Sequence, residues 1–386
     1  MTIATTITGF VRSGRKSERV SFMPKSAHSS QKSVLPFFCS LFLDLFMTDF
    51  EKVTDFENLY RAYRKAKSGK GYKKSSAKFE VQALDGIHKL KQLLETKQYT
   101  VAKYNQFYVY EPKQRLIEAA AFKDKVIQHS LCDNVLLPEL SKVFIRNNFA
   151  GQIGKGTLFG LNTLKSDVQG FYNEHGMNGY ILKADVTKFF YTIDHNILKQ
   201  IIRQYFTDND LLWLCDLIID STDGLGLPLG NQTSQVFALL YLDRLDHYIT
   251  ETLGIKYYGR YMDDLYLIHH DKDYLKYCLQ EINKIIYSLE LSLNGKTQIM
   301  PFKQGIKFLG FHTYIKDGQI VCKIRNENKR NAYRKYKKMA YLVVDGKLSR
   351  KKFDECYQSW KAHANFGDCQ GIIDNLDRQI NQILGD

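Results

Sequence analysis

Two adjacent carboxylates lie between two apolar, aromatic-rich runs in the stretch Tyr257-Tyr258-Gly259-Arg260-Tyr261-Met262-Asp263-Asp264-Leu265-Tyr266-Leu267-Ile268. Each run predicts a short β-strand, so Met262-Asp263-Asp264 should form the turn of a hairpin. Aspartate is common in turns, where it hydrogen-bonds its own backbone, but the usual Asn-Gly or Asp-Gly signal is missing. Two neighbouring carboxylates raise each other's pKa unless a cation lies between them. A structural turn and a cation site both fit this stretch when it is taken alone.

A third carboxylate follows an earlier apolar run, Gly179-Tyr180-Ile181-Leu182-Lys183-Ala184-Asp185. The run predicts a strand that ends at Asp185, and a sheet can bring this residue beside Asp263 and Asp264. Carboxylate oxygens suit Mg²⁺, which keeps waters and accepts substrate phosphates. Two such ions about 4 Å apart stabilise the attacking and leaving oxygens of a phosphoryl transfer. The pattern therefore predicts a two-magnesium site.

Two motifs carry a family resemblance. Tyr261-Met262-Asp263-Asp264 resembles the Tyr-X-Asp-Asp box of reverse transcriptases, and Asp185-Val186-Thr187-Lys188-Phe189-Phe190 resembles their first palm motif. The resemblance covers roughly Phe50 to Gly371. It implies an α+β right-hand polymerase with fingers, an antiparallel-sheet palm and a helical thumb, which makes DNA on an RNA template. The catalytic residues implied are Asp185, Asp263, Asp264 and Lys296, and the metal ligands implied for two Mg²⁺ ions are the three aspartates and the carbonyl of Val186.

Further positions carry the same resemblance. Lys113 and Arg115 match a fingers segment that contacts the incoming triphosphate. Phe190 matches an aromatic residue that lies under the sugar and excludes a 2′-hydroxyl. The alternative interpretation is that Phe190 belongs to the apolar core. Lys296 matches a general acid for pyrophosphate, and a surface lysine in a turn fits it equally well. The nucleotide-binding residues implied are Lys113, Arg115, Phe190, Leu229, Gly230 and Gln235, and the primer-grip residues implied are Phe308, Leu309 and Gly310.

Leu229 points to a branch of the family. It stands where most reverse transcriptases carry Gln, and the form Leu229-Gly230 followed by Ser234-Gln235 resembles diversity-generating retroelement enzymes. The resemblance implies copying that is error-prone at template adenines. The alternatives are an antiviral defence reverse transcriptase of the abortive-infection type and, from another class, a non-catalytic RNA-binding module. The three aspartates argue against the last.

Charge and composition agree with a nucleic-acid partner. The 386 residues carry 55 Lys plus Arg against 41 Asp plus Glu, a net charge of +14, which favours a polyanionic partner. A basic helical segment near the C-terminus predicts nucleic-acid contacts from Arg334, Lys335, Lys337 and Lys338. The partners implied are template RNA, primer or cDNA, and dNTPs, with a small basic accessory protein as a further expectation.

Cysteine and hydropathy patterns bear on the cellular compartment. The seven cysteines are scattered singly, so a zinc site and a disulfide framework are not expected, and a reducing cytoplasm fits. The apolar run Val34 to Met47 is shorter than the roughly 20 residues of a membrane span, so no membrane association is expected.

Four regions are predicted. Residues 1–46 form a disordered or non-native extension, 47–178 the fingers and the start of the palm, 179–322 the palm with its motifs, and 323–386 a basic helical thumb. Within the palm, the stretch that opens at Gly226 predicts one helix as far as about Ile249.

Overall fold

The computed structural model describes residues 47–110, 114–222 and 224–385. The predicted extension, residues 1–46, and the predicted phosphate-binding residue Lys113 lie outside this part of the chain. The described residues belong to one compact unit built from helices and antiparallel sheets. The predicted α+β class is therefore confirmed. Among the described residues, no helix is both long enough and apolar enough to cross a membrane.

Helices and one β-hairpin precede the central sheet. They are α1 (Asp49–Thr54), α2 (Phe56–Lys67), α3 (Lys74–Glu80), α4 (Ala83–Glu95), β1 (Asn105–Val109), β2 (Arg115–Ala119), α5 (Phe122–Leu131), α6 (Leu137–Leu140) and α7 (Thr157–His175). A π-helical turn, Cys132–Leu136, joins α5 to α6. Strands β1 and β2 pair antiparallel, with Asn105 opposite Ala119.

The central sheet has four antiparallel strands in the order β4-β5-β3-β6. The strands are β3 (Tyr180–Asp185), β4 (Tyr257–Tyr261), β5 (Asp264–His269) and β6 (Gln298–Pro301). Strands β4 and β5 form a hairpin in which Tyr261 pairs with Asp264, so Met262 and Asp263 make the turn. The predicted hairpin is confirmed, and Asp264 is the first residue of its second strand.

Further helices surround this sheet. They are α8 (Phe189–Thr192), α9 (His195–Ile202), α10 (Asn209–Ile219), α11 (Gln232–Tyr241), α12 (Asp243–His247) and α13 (Lys272–Ser288). The single helix predicted as far as Ile249 is wrong, because the chain breaks at Leu242 between α11 and α12. A π-helical turn, Tyr248–Thr252, then follows. A π-helical turn contains one residue more than an α-helical turn. The apolar periodicity of the sequence does not reveal this extra residue.

The central sheet is buried on both faces, and this fixes its register. Alternate residues enter two different apolar clusters. One cluster takes Leu182, Ala184, Tyr258, Leu265 and Leu267, and the other takes Ile181, Tyr257, Tyr266 and Ile268. A slip of one residue would exchange the two sets of side chains. The positions of Asp185 and Asp264 at the strand ends are therefore fixed by packing elsewhere in the sheet.

A second sheet and a helical bundle complete the described chain. The elements are β7 (Ile306–Phe308), β8 (Phe311–Lys316), β9 (Gln319–Ile324), α14 (Asn326–Val344), α15 (Arg350–Ala364) and α16 (Gln370–Leu384). The three strands are antiparallel in the order β7-β8-β9. The helices share an apolar cluster around Tyr336, Phe353 and Leu376. The helical segment predicted from about Asn326 is confirmed, whereas the four region boundaries stay predictions.

Candidate active site

The three predicted aspartates meet at one end of the central sheet. Strands β3 and β5 run antiparallel with Asp185 directly opposite Asp264, so the two side chains leave the same face of the sheet. Asp263 occupies the adjoining turn, where its carbonyl accepts a hydrogen bond from the Val186 N–H at 3.3 Å. The turn residue Met262 has a left-handed backbone, φ 55°, which is uncommon for a residue with a side chain.

Burial makes Asp263 and Asp264 costly to ionise. Burial first, and the charge of Asp185 second, raise the pKa of Asp263 to about 6. Burial also raises the pKa of Asp264, although the neighbouring Lys183 opposes that rise. The folded chain therefore holds negative charge here against an electrostatic penalty, which a bound cation would relieve.

Two polar residues that the sequence reasoning missed contact these aspartates. The Lys183 ammonium donates to both carboxylate oxygens of Asp264, at 2.7 and 3.0 Å. Asn294 donates its backbone N–H to the Asp185 carbonyl at 2.7 Å and its side-chain amide to Asp185 Oδ2 at 3.3 Å. The two-residue period of a strand places Lys183 on the face of Asp185, and this signal was available in the sequence.

The donor set fits a divalent cation in its chemistry. Within the described ranges, no three His, Cys, Asp or Glu side chains are arranged to hold a metal ion. The charge of Asp185 acts on Asp263, whereas the carboxylate of Asp264 accepts from Lys183. Carboxylate oxygens are the ligands that Mg²⁺ takes in proteins. An ionised carboxylate has lone pairs beyond those that accept from Lys183, so Asp264 can also contribute to a cation site.

Backbone hydrogen bonds bring several predicted nucleotide-binding residues together. The Phe190 carbonyl accepts from the Leu227 N–H at 2.6 Å, and the Leu229 carbonyl accepts from the Glu118 N–H at 3.0 Å. Because Glu118 lies on β2 with the exposed Arg115, these bonds join the β1–β2 hairpin, the Leu229 segment and α8. Phe190 itself is half-buried against the main apolar cluster, so both interpretations of this residue, under the sugar and in the core, remain compatible with its position.

A basic cavity opens beside the Leu229 segment. Its volume is about 400 Å³, and its lining comprises Lys65, Lys70, Lys125, Gln128, His129, Gly151, Gly230, Asn231, Gln232 and Gln235. Burial, and then the charges of Lys70 and Lys73, lower the pKa of Lys125. Gln128 Nε2 and Asn231 Oδ1 are buried here without a hydrogen-bond partner. Predicted residues Gly230 and Gln235 therefore face a space suited to an anionic, hydrogen-bonding ligand.

The predicted primer-grip residues pack directly against the central sheet. Leu309 and Gly310 form a tight turn between β7 and β8, with φ of 49° and 87°. Phe308 is buried edge-to-face on Tyr266, with ring centroids 5.2 Å apart. Since Tyr266 pairs with Lys183 across β3 and β5, the grip turn is anchored beside the aspartates.

The predicted general acid, Lys296, is exposed in the turn after Asn294. Its backbone N–H donates to Asn294 Oδ1 at 3.1 Å. Since Asn294 itself contacts Asp185, the turn that carries Lys296 is coupled to the aspartates, while its ammonium remains in solvent.

Basic residues of α14 line a groove in the C-terminal bundle. The groove has a volume of about 780 Å³. Arg334, Lys335 and Lys338 line it together with Trp360 and His363. Lys337, the remaining predicted nucleic-acid contact, is half-buried on the same helix.

The carboxylate trio, the basic cavity and the groove are the candidate binding features of the described chain. The family model for reverse transcriptase (RNA-dependent DNA polymerase) matches residues 103–313, more than half of the chain. The chain belongs to this family, which confirms the family expectation and the enzyme class, an RNA-directed DNA polymerase.

Among curated proteins, no sequence matches. Among solved structures, telomerase from Candida albicans in complex with a TWJ fragment of telomeric RNA matches with 12% identity and a TM-score of 0.46. The match covers 76% of this chain, and the chain spans 58% of the length of that telomerase chain.

Replacing Asp263 by Asn is expected to stabilise the metal-free protein near neutral pH, because the amide carries no charge to bury. The folded-state pKa of about 6 lies above the ordinary value of 3.8. The penalty is therefore complete above about pH 6 and disappears as the pH falls to about 4. The gain should be on the order of 1–3 kcal/mol, since one pKa unit corresponds to about 1.4 kcal/mol.

Urea unfolding with a chelator, at about pH 7.5 and about pH 4.5, measures this effect. Asp273→Asn is the matched control, because that side chain is 84% exposed and should change the free energy of unfolding little. A variant at position 263 that is no more stable than wild type at the higher pH would contradict the electrostatic account.

Proposed function

We propose that this chain copies a template RNA into DNA by magnesium-dependent nucleotidyl transfer at Asp185, Asp263 and Asp264. The observation that carries the proposal is the convergence of these three carboxylates at one sheet end, within a chain of the reverse transcriptase family. The raised pKa values of Asp263 and Asp264 support a site that is completed by a cation.

In this reaction the primer 3′-hydroxyl attacks the α-phosphorus of a dNTP, a new phosphodiester bond forms, and pyrophosphate leaves. Asp185, Asp263, Asp264 and the carbonyl of Val186 would hold two Mg²⁺ ions. Bound there, the ions supply stabilisation of the attacking and leaving oxygens. Asn294 holds Asp185 in place through its backbone and its side chain.

Lys183 has a separate part in this proposal. Its ammonium offsets the charge of Asp264 in the folded chain, and the remaining lone pairs of that carboxylate would be available to Mg²⁺.

Substrate contacts follow from the segments that surround the aspartates. Arg115, with Lys113, would bind the triphosphate, since a guanidinium offers paired donors to phosphate oxygens. Phe190 would lie under the sugar and exclude a 2′-hydroxyl. The primer end would rest on the Leu309–Gly310 turn, and Lys296 would protonate the leaving pyrophosphate. The groove on α14 would bind the backbone of the template–primer duplex.

Primer extension on an RNA template tests this function. Asp263→Asn should reduce the rate by at least about 1000-fold, because a positioned charge that stabilises the transition state is lost. Binding of the template–primer duplex, measured by fluorescence anisotropy, should remain. Asp273→Asn, the same change at an exposed site, should extend primers like wild type. Full activity of the Asp263 variant at ordinary Mg²⁺ would remove this residue from the reaction.

We further propose that the enzyme is error-prone at template adenines and belongs to a diversity-generating retroelement. Leu229 supports this, since it is half-buried beside the basic cavity and offers only an aliphatic side chain. A polar side chain at this place would hydrogen-bond the nucleotide. Without one, correct and incorrect pairs differ less in the transition state.

Leu229→Gln is therefore expected to raise accuracy opposite adenine more than opposite the other bases. One recovered polar contact of about 1 kcal/mol corresponds to a several-fold lower error rate. Sequencing of cDNA made by both proteins from one template measures it. Uniformly low errors in the wild type would instead favour the defence-type reverse transcriptase, and equal adenine errors in both proteins would remove Leu229 as the cause.

A further inference from the structure

Arg260, two residues before Met262 in the catalytic hairpin, is a fully buried charge. Its side chain and that of its partner Asp246 on α12 are both 0% exposed. The guanidinium donates from Nε to Asp246 Oδ1 at 2.6 Å and from Nη2 to Asp246 Oδ2 at 2.5 Å. The hydroxyl of Tyr258 donates to the same carboxylate at 2.5 Å. A buried ion pair of this kind is often replaceable by apolar residues without loss of stability, so stability alone does not explain it.

The remaining donors of the guanidinium point at backbone carbonyls. Nη1 donates to the Met262 carbonyl at 2.9 Å, and Nη2 donates to the Leu239 carbonyl of α11 at 3.2 Å. The Met262 carbonyl belongs to the peptide group that leads into Asp263. Met262 has a left-handed backbone, a conformation that persists in a residue with a side chain only where surrounding contacts enforce it.

The backbone of Arg260 is itself held from outside the hairpin. Its N–H donates to the Asn147 carbonyl at 2.9 Å, and its carbonyl accepts from the Phe149 N–H at 2.9 Å. The Asn147 side chain also donates to the Tyr258 carbonyl at 2.7 Å. The guanidinium therefore connects the turn to α11 and α12. The backbone of Arg260 connects it to the 147–149 segment.

We propose that Arg260, oriented by Asp246, is a positioning residue that holds the Met262–Asp263 peptide so that Asp263 points at the reacting phosphate. This inference rests on the proposed function of the aspartates. The competing explanation is that the ion pair only stabilises the fold. The two differ over what happens when the charge or the whole pair is replaced while the fold survives.

Three variants separate the explanations. Arg260→Lys keeps a buried cation beside Asp246, but a single ammonium cannot reach both that carboxylate and the Met262 carbonyl. The double variant Asp246→Leu with Arg260→Met replaces the pair by apolar groups and removes the carbonyl contact. Tyr258→Phe is the matched control, since it removes a hydrogen bond to Asp246 and leaves the contact with Met262 intact.

Each purified full-length variant is assayed for thermal unfolding, steady-state primer extension and amide hydrogen exchange. Both Arg260 variants are expected to fold and to lose about 100-fold in kcat, with KM for dNTP and affinity for the template–primer duplex nearly unchanged. Exchange in the peptide covering 261–265 should become about tenfold faster in the absence of substrate. Tyr258→Phe should alter neither kcat nor that exchange rate.

Wild-type kcat in a folded Arg260 variant would overturn the inference. Failure of both Arg260 variants to fold would overturn it too, because the pair would then serve the fold. If wild type extends no primer, the proposed function fails, and hydrogen exchange in the 261–265 peptide alone then decides whether Arg260 holds the turn.

Discussion

The antiparallel register of β3 and β5 sets Asp185 opposite Asp264, and the other contacts of the candidate active site are arranged around this pair. Two carboxylates so placed, with Asp263 in the adjoining turn, repel one another in a buried setting. The sheet holds them there because its apolar residues are buried on both faces and admit no other register. Packing free energy from the sheet thus opposes an electrostatic cost at its end. Lys183 offsets part of that cost at Asp264.

Contacts from several surrounding elements fix the residues at this end of the sheet. The Arg260–Asp246 pair fixes the peptide before Asp263, and Asn294 fixes Asp185. The Leu309–Gly310 turn is anchored through Phe308 and Tyr266. Bonds at the backbone of Leu229 connect the β1–β2 hairpin to the same region. A substrate that touches the hairpin, the cavity and the turn would therefore meet a site assembled from distant parts of the sequence.

The sequence predicted the frame of this site because the frame follows from local patterns. Two apolar runs flank Asp263 and Asp264, and a third run ends at Asp185. These patterns directly predict three strands and a turn. The outcome for Arg260 was not foreseeable in the same way. A charged residue in a strand is ordinarily exposed, and its burial depends on Asp246 and on the 147–149 segment, which are remote in sequence. Likewise, the apolar periodicity of this segment does not predict that the helix ends at Leu242.

The most direct test of the account is whether the purified protein copies a defined RNA into DNA. The measurement uses an RNA template with an annealed DNA primer, the four dNTPs and Mg²⁺, followed by sequencing of the product. The expected product is DNA complementary to the RNA, made only when a divalent cation is present. Tight binding of the template–primer duplex without any extension, in Mg²⁺ and in Mn²⁺, would contradict the proposed function and would favour an RNA-binding module.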